Sequence, residues 1–274
     1  MCYRAALIVS GGVSAGAGTA ALVIGRDFHR DYARLVAGAT ATPPAAALGF
    51  LLCGLALVGV AFWIPKLSSI LAMLTLSMAL VTGFERLLGV QPNFELLVAN
   101  SLGHPGGGAL STNTIAALLL AGVALFLRHI AGYLPRRFET IALLGAVILA
   151  IGLAACVGYM TQVPVYAWGR GTPMSLLAAI ATSVLGWGII TSAWRFSELD
   201  RSGTPRWFPE IVFAGAFGID CATALAYILG DKHGWPASET IALLPMVAVS
   251  TMVSILAGRA ALRHRRAAEI ASNI

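Results

Sequence analysis

Apolar stretches of about 20 residues recur along the chain, divided by short polar segments. Each is long enough to cross ~30 Å of hydrocarbon as a helix, and in lipid the backbone amides find their partners only within such a segment. Eight spans are predicted: Ala5–Ile24, Ala45–Ile64, Leu67–Phe84, Thr114–Leu127, Thr140–Tyr159, Met174–Ala193, Pro209–Gly230 and Thr240–Leu262. The fourth is short and needs Ser111–Asn113 and His129–Ile130 to reach full length. The first is rich in Gly, Ser and Ala over Ser10–Thr19 and has two readings. It is a signal peptide with Ala15-Gly16-Ala17 as cleavage site, or a retained helix packed through the Gly12/Gly16 pair. The expected fold class is all-α, a polytopic membrane helix bundle of about eight transmembrane helices over residues 1-262. A short basic cytoplasmic tail follows at 263-274.

Composition agrees. The chain is 58% hydrophobic and 11% charged, with a mean hydropathy of +0.83. The net charge of +6 changes the picture only through its distribution. With the amino terminus inside, twelve basic residues fall in inner loops, among them Arg4, Lys66, Arg128, Arg137 and Arg195, and six in outer ones: Arg26, Arg30, Arg34, Arg86, Arg170 and Lys232. That bias places both termini in the cytoplasm, although the three arginines after the first span oppose it locally. The basic excess then faces anionic lipid, so the bilayer is the expected partner. No basic stripe interleaved with aromatics is present, and nucleic acid is not expected.

Candidate chemistry is sparse. Cys2, Cys53, Cys156 and Cys221 form no CxxC and read as small buried hydrophobes. No histidine lies mid-span, which excludes a membrane dihaem site, and both lysines, Lys66 and Lys232, lie in loops, which excludes a retinal Schiff base. P-loop and HExxH patterns are missing. No catalytic residue, metal or cofactor is expected.

An internal repeat organises the spans. Thr42-Pro43-Pro44, Ser111-Thr112-Asn113-Thr114 and Thr172-Pro173-Met174-Ser175 each precede an apolar span, and all are helix-start residues. Aligning Ala46, Thr114 and Ala178 brings Gly54, Gly122 and Gly186 into register, each eight residues on. Small residues at matching depth predict a shared close helix contact. The returning spans match at Val81-Thr82-Gly83-Phe84 and Cys156-Val157-Gly158-Tyr159.

These pieces resemble the multi-span amino-terminal membrane sensor region of bacterial PAS-linked sensor histidine kinases and diguanylate cyclases. That region repeats helical hairpins that open with a segment like M-x-P-x-T-A-L and return through a span ending in Gly-Tyr. The resemblance rests on Thr42–Leu57, Ser111–Leu125, Val157-Gly158-Tyr159, Thr172–Trp187 and the outer segment Leu88–Leu97, and covers roughly residues 35–195. The Thr of T-A-L is Ala46 in the first unit and Ala178 in the third. The resemblance implies an inner-membrane input module of a two-component or cyclic-di-GMP system, with a cytoplasmic signalling kinase or cyclase as partner and room for a homodimer. The tail from Arg263 to Ile274 looks like a helix leaving the membrane toward such an output, or an ordinary positive-inside anchor; it is too short to hold the output itself.

Two places could carry function. Asp220 lies at the centre of the seventh predicted span, where an ionised carboxylate costs ~2.5–3.5 kcal/mol on insertion scales. It reads as a proton relay, ion site or switch, or as a structural hydrogen bond to Ser250 or Thr251. Around the outer loops, Tyr166, Trp168 and Arg170 with Asn93 and Glu95 could line a small-ligand pocket, or the aromatics could be an interfacial belt. Glu85, Arg86, Asn100 and His104 share that outer segment. The leading expectation is a sensor input module. The alternatives are a small-solute or ion transporter using Asp220 and a structural subunit of a membrane complex.

Overall fold

In the computed structural model the bundle is held by helices that touch backbone to backbone. The structure describes residues 2–24, 42–103, 108–130, 137–161, 173–197, 208 and 212. Among these are seven helices and no strand: α1 (Cys2–Ile24), α2 (Pro44–Ala61), α3 (Pro65–Leu87), α4 (Asn93–Ser101), α5 (Thr112–Ile130), α6 (Arg137–Thr161) and α7 (Leu176–Phe196). All except α4 are long and apolar enough to cross a membrane, which makes six candidate spans. They match the first six predicted ones, and α5 takes in the flanking residues its short apolar stretch needed, except Ser111, which stands just before it. The predicted spans at 209–230 and 240–262 lie outside the described residues, residue 212 apart.

The side-chain distribution is that of a protein built for lipid. On α3 the buried positions are Ser68, Ala72, Thr75, Met78, Ala79 and Thr82, while Leu67, Ile70, Leu74, Leu80, Phe84 and Leu87 are exposed. Small and hydroxylic residues let helices approach, and bulky apolar ones face outward where water would penalise them. The buried hydroxyls find local partners: Thr75 Oγ1 donates to the Leu71 carbonyl at 3.0 Å and Thr82 Oγ1 to that of Met78 at 3.0 Å.

The most extensive pairings are α6–α7, α1–α2 and α3–α5. Each contains one of the three glycines that the repeat aligned. A Cβ on Gly54 would sit 2.4 Å from Ala15 N, one on Gly122 3.0 Å from Leu76 Cα, and one on Gly186 2.4 Å from Leu149 N. In every case the glycine of an entering helix lies against the spanning helix before it. The α1 contact departs from expectation. Gly12 and Gly16 have open space around them, and the close approach is made by Gly11 and Gly18, which meet the Gly54 and Ala47 carbonyls. The packed stripe is thus rotated by one residue, about 100° on a helical wheel.

α5 and α7 also begin alike. Ser111 Oγ accepts the Thr114 amide at 3.2 Å, and Ser175 Oγ accepts the Ala178 amide at 3.1 Å. These are N-caps bonded to the third helical residue. The residue before each serine, Leu110 or Met174, is fully buried. Its carbonyl accepts from a side chain near the end of the preceding span, Arg86 Nη2 in one case and Tyr159 Oη in the other. Ser175 further meets Thr42, the hydroxyl before α2, at 2.7 Å, so the starts of α2 and α7 are tied at one end.

Candidate functional site

Antiparallel neighbours sort the described charges to the two ends of the bundle. Arg4, Lys66, Arg128, Arg137, Glu139 and Arg195 lie at the end where α1, α3 and α6 begin; Glu85, Arg86 and Glu95 lie at the other. The second group forms a knot around Leu110.

Its construction starts at the end of α3. The Gly89 amide returns to the Arg86 carbonyl and that of Val90 to Glu85, with Gly89 at φ 65°. This is a Schellman turn, which needs a residue that tolerates the left-handed region. Gln91 and Pro92 then lead into α4, an element the span count does not anticipate because it is only nine residues long. Its sequence signals are Pro92 before the first turn, an acid within that turn, and apolar Phe94 and Val98 four residues apart.

α4 is anchored by carboxylates. Glu85 Oε1 accepts the Phe94 amide at 3.1 Å, so an α3 side chain caps the start of α4. Glu95 is 4% exposed, and its Oε2 accepts the Leu110 amide at 2.9 Å. Arg86 donates to the Leu110 carbonyl at 2.5 Å. Both polar groups of one fully buried backbone unit are thereby satisfied by side chains from two elements. The remaining oxygens, Glu85 Oε2 and Glu95 Oε1, are buried without a hydrogen-bond partner. Burial pushes the Glu95 carboxyl above the usual carboxylate range; the Leu110 amide and the Arg86 charge oppose the rise, and the Glu85 charge adds to it. The group is suited to holding a proton, and ionisation would leave a buried negative oxygen unpaired.

Of the residues singled out from the sequence, Glu95 is in this knot, joined by Glu85 and Arg86 from the end of α3. Asn93 is the exposed first residue of α4. Tyr166, Trp168 and Arg170, and Asp220, lie outside the described residues. Sequence reasoning did not single out Leu110, whose role is carried by its backbone; the Gly-rich run before it and Ser111 after it mark a chain turning into a helix. Nor did it single out the end of α5, where His129 Nε2 lies 3.2 Å from Ser68 Oγ. Among the described residues no group of three or more His, Cys, Asp or Glu could hold a metal ion. No protein-family model matches the chain, and no curated protein or solved structure is similar to it.

Proposed function

We propose that this chain is a membrane-embedded input module, non-catalytic in itself, that passes a condition sensed on its outer face to a histidine-kinase or cyclic-di-GMP output in the cytoplasm. The Leu110 knot is the observation that carries the reading. A buried carboxyl group ties α4 to the chain entering α5, while its neighbours Glu85 and Arg86 belong to α3. A change of charge on Glu95 therefore acts on two spanning helices at once, and both reach the basic end at Lys66 and Arg128. The finer picture is an eight-span protein of a bacterial inner membrane with both termini cytoplasmic. Its hairpins repeat, as the shared caps, buried carbonyl acceptors and contact glycines of α5 and α7 suggest.

The test is a fusion of a kinase or cyclase output after Ile274, read against external pH. The reading expects output to vary with external pH and Glu95→Gln to hold it constant. Asp220, an acid in the middle of a predicted span, favours a second reading as a solute or ion carrier. Reconstituted protein that takes up solute under a proton or sodium gradient, and loses that uptake in Asp220→Asn, would replace the sensor by the carrier.

A further inference from the structure

The basic end holds a cleft that the sensor reading does not use. The turn from α2 to α3 closes through the same geometry as the end of α3: the Trp63 amide meets the Val60 carbonyl at 3.4 Å and the Ile64 amide that of Gly59 at 2.9 Å. Gly89 fills the left-handed position in one turn; Trp63, at φ 61°, fills it in the other. A side chain with a Cβ costs about 1–2 kcal/mol there. Trp63 is nonetheless 63% exposed, so burial of its ring does not explain its presence. Its ring lies under the Arg195 guanidinium, 4.8 Å from the centroid. Strained residues held in this way mark functional positions.

Trp63 forms one wall of a cleft of about 410 Å³, with Ile64, Pro65, Arg128 and His129 among the other lining residues. A second cleft of about 400 Å³ adjoins it, sharing Pro65 and His129 and adding Lys66, Ser69 and Ile70. The first volume is within the ~300–1,000 Å³ of small-ligand sites, and the second is a shallow, open extension beside it. The polar groups around them are two cations, an imidazole and a hydroxyl. Directly along α3 from Lys66 run Leu67, Ile70 and Leu74, all exposed and spaced to lie on one helix face.

We propose that these joined clefts bind the phosphodiester headgroup of an anionic phospholipid, with its acyl chains on the Leu67–Ile70–Leu74 ridge. Lys66 and Arg128 supply the charge that selects an anion, and Ser69 and His129 supply further hydrogen bonds. Trp63 lies at the headgroup level, where its amphipathic ring is at home. The apolar ridge continuing from the cations favours a lipid over a soluble phosphate.

Purified full-length protein in detergent is titrated with dioleoyl phosphatidylglycerol, with dioleoyl phosphatidylcholine and with inorganic phosphate. Retained lipid is read by native mass spectrometry and stability by thermal shift. Phosphatidylglycerol should be retained and should raise the melting temperature, phosphatidylcholine much less so. Lys66→Gln with Arg128→Gln should weaken retention roughly thirtyfold, the value of two surface cations, and Lys66→Arg should preserve it. Trp63→Gly relieves the left-handed strain, so it should stay folded and still lose lipid, which separates binding from folding. Equal retention of both lipids, unchanged binding in the double variant, or displacement of phosphatidylglycerol by inorganic phosphate would overturn the proposal.

Discussion

The Leu110 amide donates to Glu95 Oε2 across 2.9 Å, fifteen residues back along the chain. Leu110 is fully buried and has no helical partner for that amide, so Glu95 is its substitute for a backbone ladder. Removing the acceptor leaves the amide orphaned. Glu95→Ala should therefore destabilise the protein by about 1–3 kcal/mol, the cost of an unsatisfied buried group. Glu95→Gln keeps an acceptor oxygen and should retain most of that stability. Denaturant or thermal unfolding in one detergent compares the two.

The same carboxyl sets a pH dependence. Its folded pKa is raised above the ordinary 4.5, so the folded chain keeps a proton that the unfolded chain has already lost. Its stabilising contribution is complete below pH 4.5 and declines as pH rises through the elevated folded value. The melting-temperature difference between wild type and Glu95→Gln should shift against the wild type over that window. A difference that is flat from pH 4 to 8 would contradict a buried, proton-holding Glu95.

Glycine substitutions should divide by contact. Gly54→Leu and Gly186→Leu drive a Cβ to 2.4 Å from the neighbouring helix backbone. Backbones cannot yield as side chains do, so losses of about 3 kcal/mol or more are expected, the upper end for overpacking. Gly12→Leu and Gly16→Leu meet nothing within 4 Å and should be neutral or gain up to ~1 kcal/mol of helix propensity. Folded yield after detergent extraction, followed by thermal unfolding, measures the contrast.

The two serine caps should behave as a pair. Ser111→Ala and Ser175→Ala each remove a bond to the third helical amide, worth about 1 kcal/mol. Each substitution also strips a hydroxyl partner at 2.7 Å, Thr114 for Ser111 and Thr42 for Ser175, so the two costs should be alike. Thermal unfolding of both single variants in one detergent gives the comparison.

Hydropathy alone made six spans legible, because length and apolarity are properties of a segment by itself. The contact glycines were legible too, since Gly54, Gly122 and Gly186 share a register. On α1 the same argument chose Gly12 and Gly16 over Gly11 and Gly18. A spacing of four marks a face, but in a segment with six glycines or serines among the nine residues Ser10–Gly18 it does not say which face meets α2. α4 was hidden by its length. The Leu110 knot was half legible: Glu95, Glu85 and Arg86 stand out as charges between apolar spans, whereas Leu110 takes part through its backbone, which no side-chain pattern reports. Trp63 reads in sequence as one more interfacial aromatic. Its left-handed backbone follows from the tightness of the α2–α3 turn.

The account rests on a bundle that crosses the membrane with α4 outside and the Lys66 end inside. Single cysteines at Asn100 and Lys66, in a background with Cys2, Cys53, Cys156 and Cys221 replaced by alanine, test this with a membrane-impermeant maleimide. Both positions are exposed on the protein. Asn100→Cys should label in intact cells, and Lys66→Cys only after the membrane is opened. Labelling of Lys66→Cys in intact cells, with Asn100→Cys protected, would contradict the account.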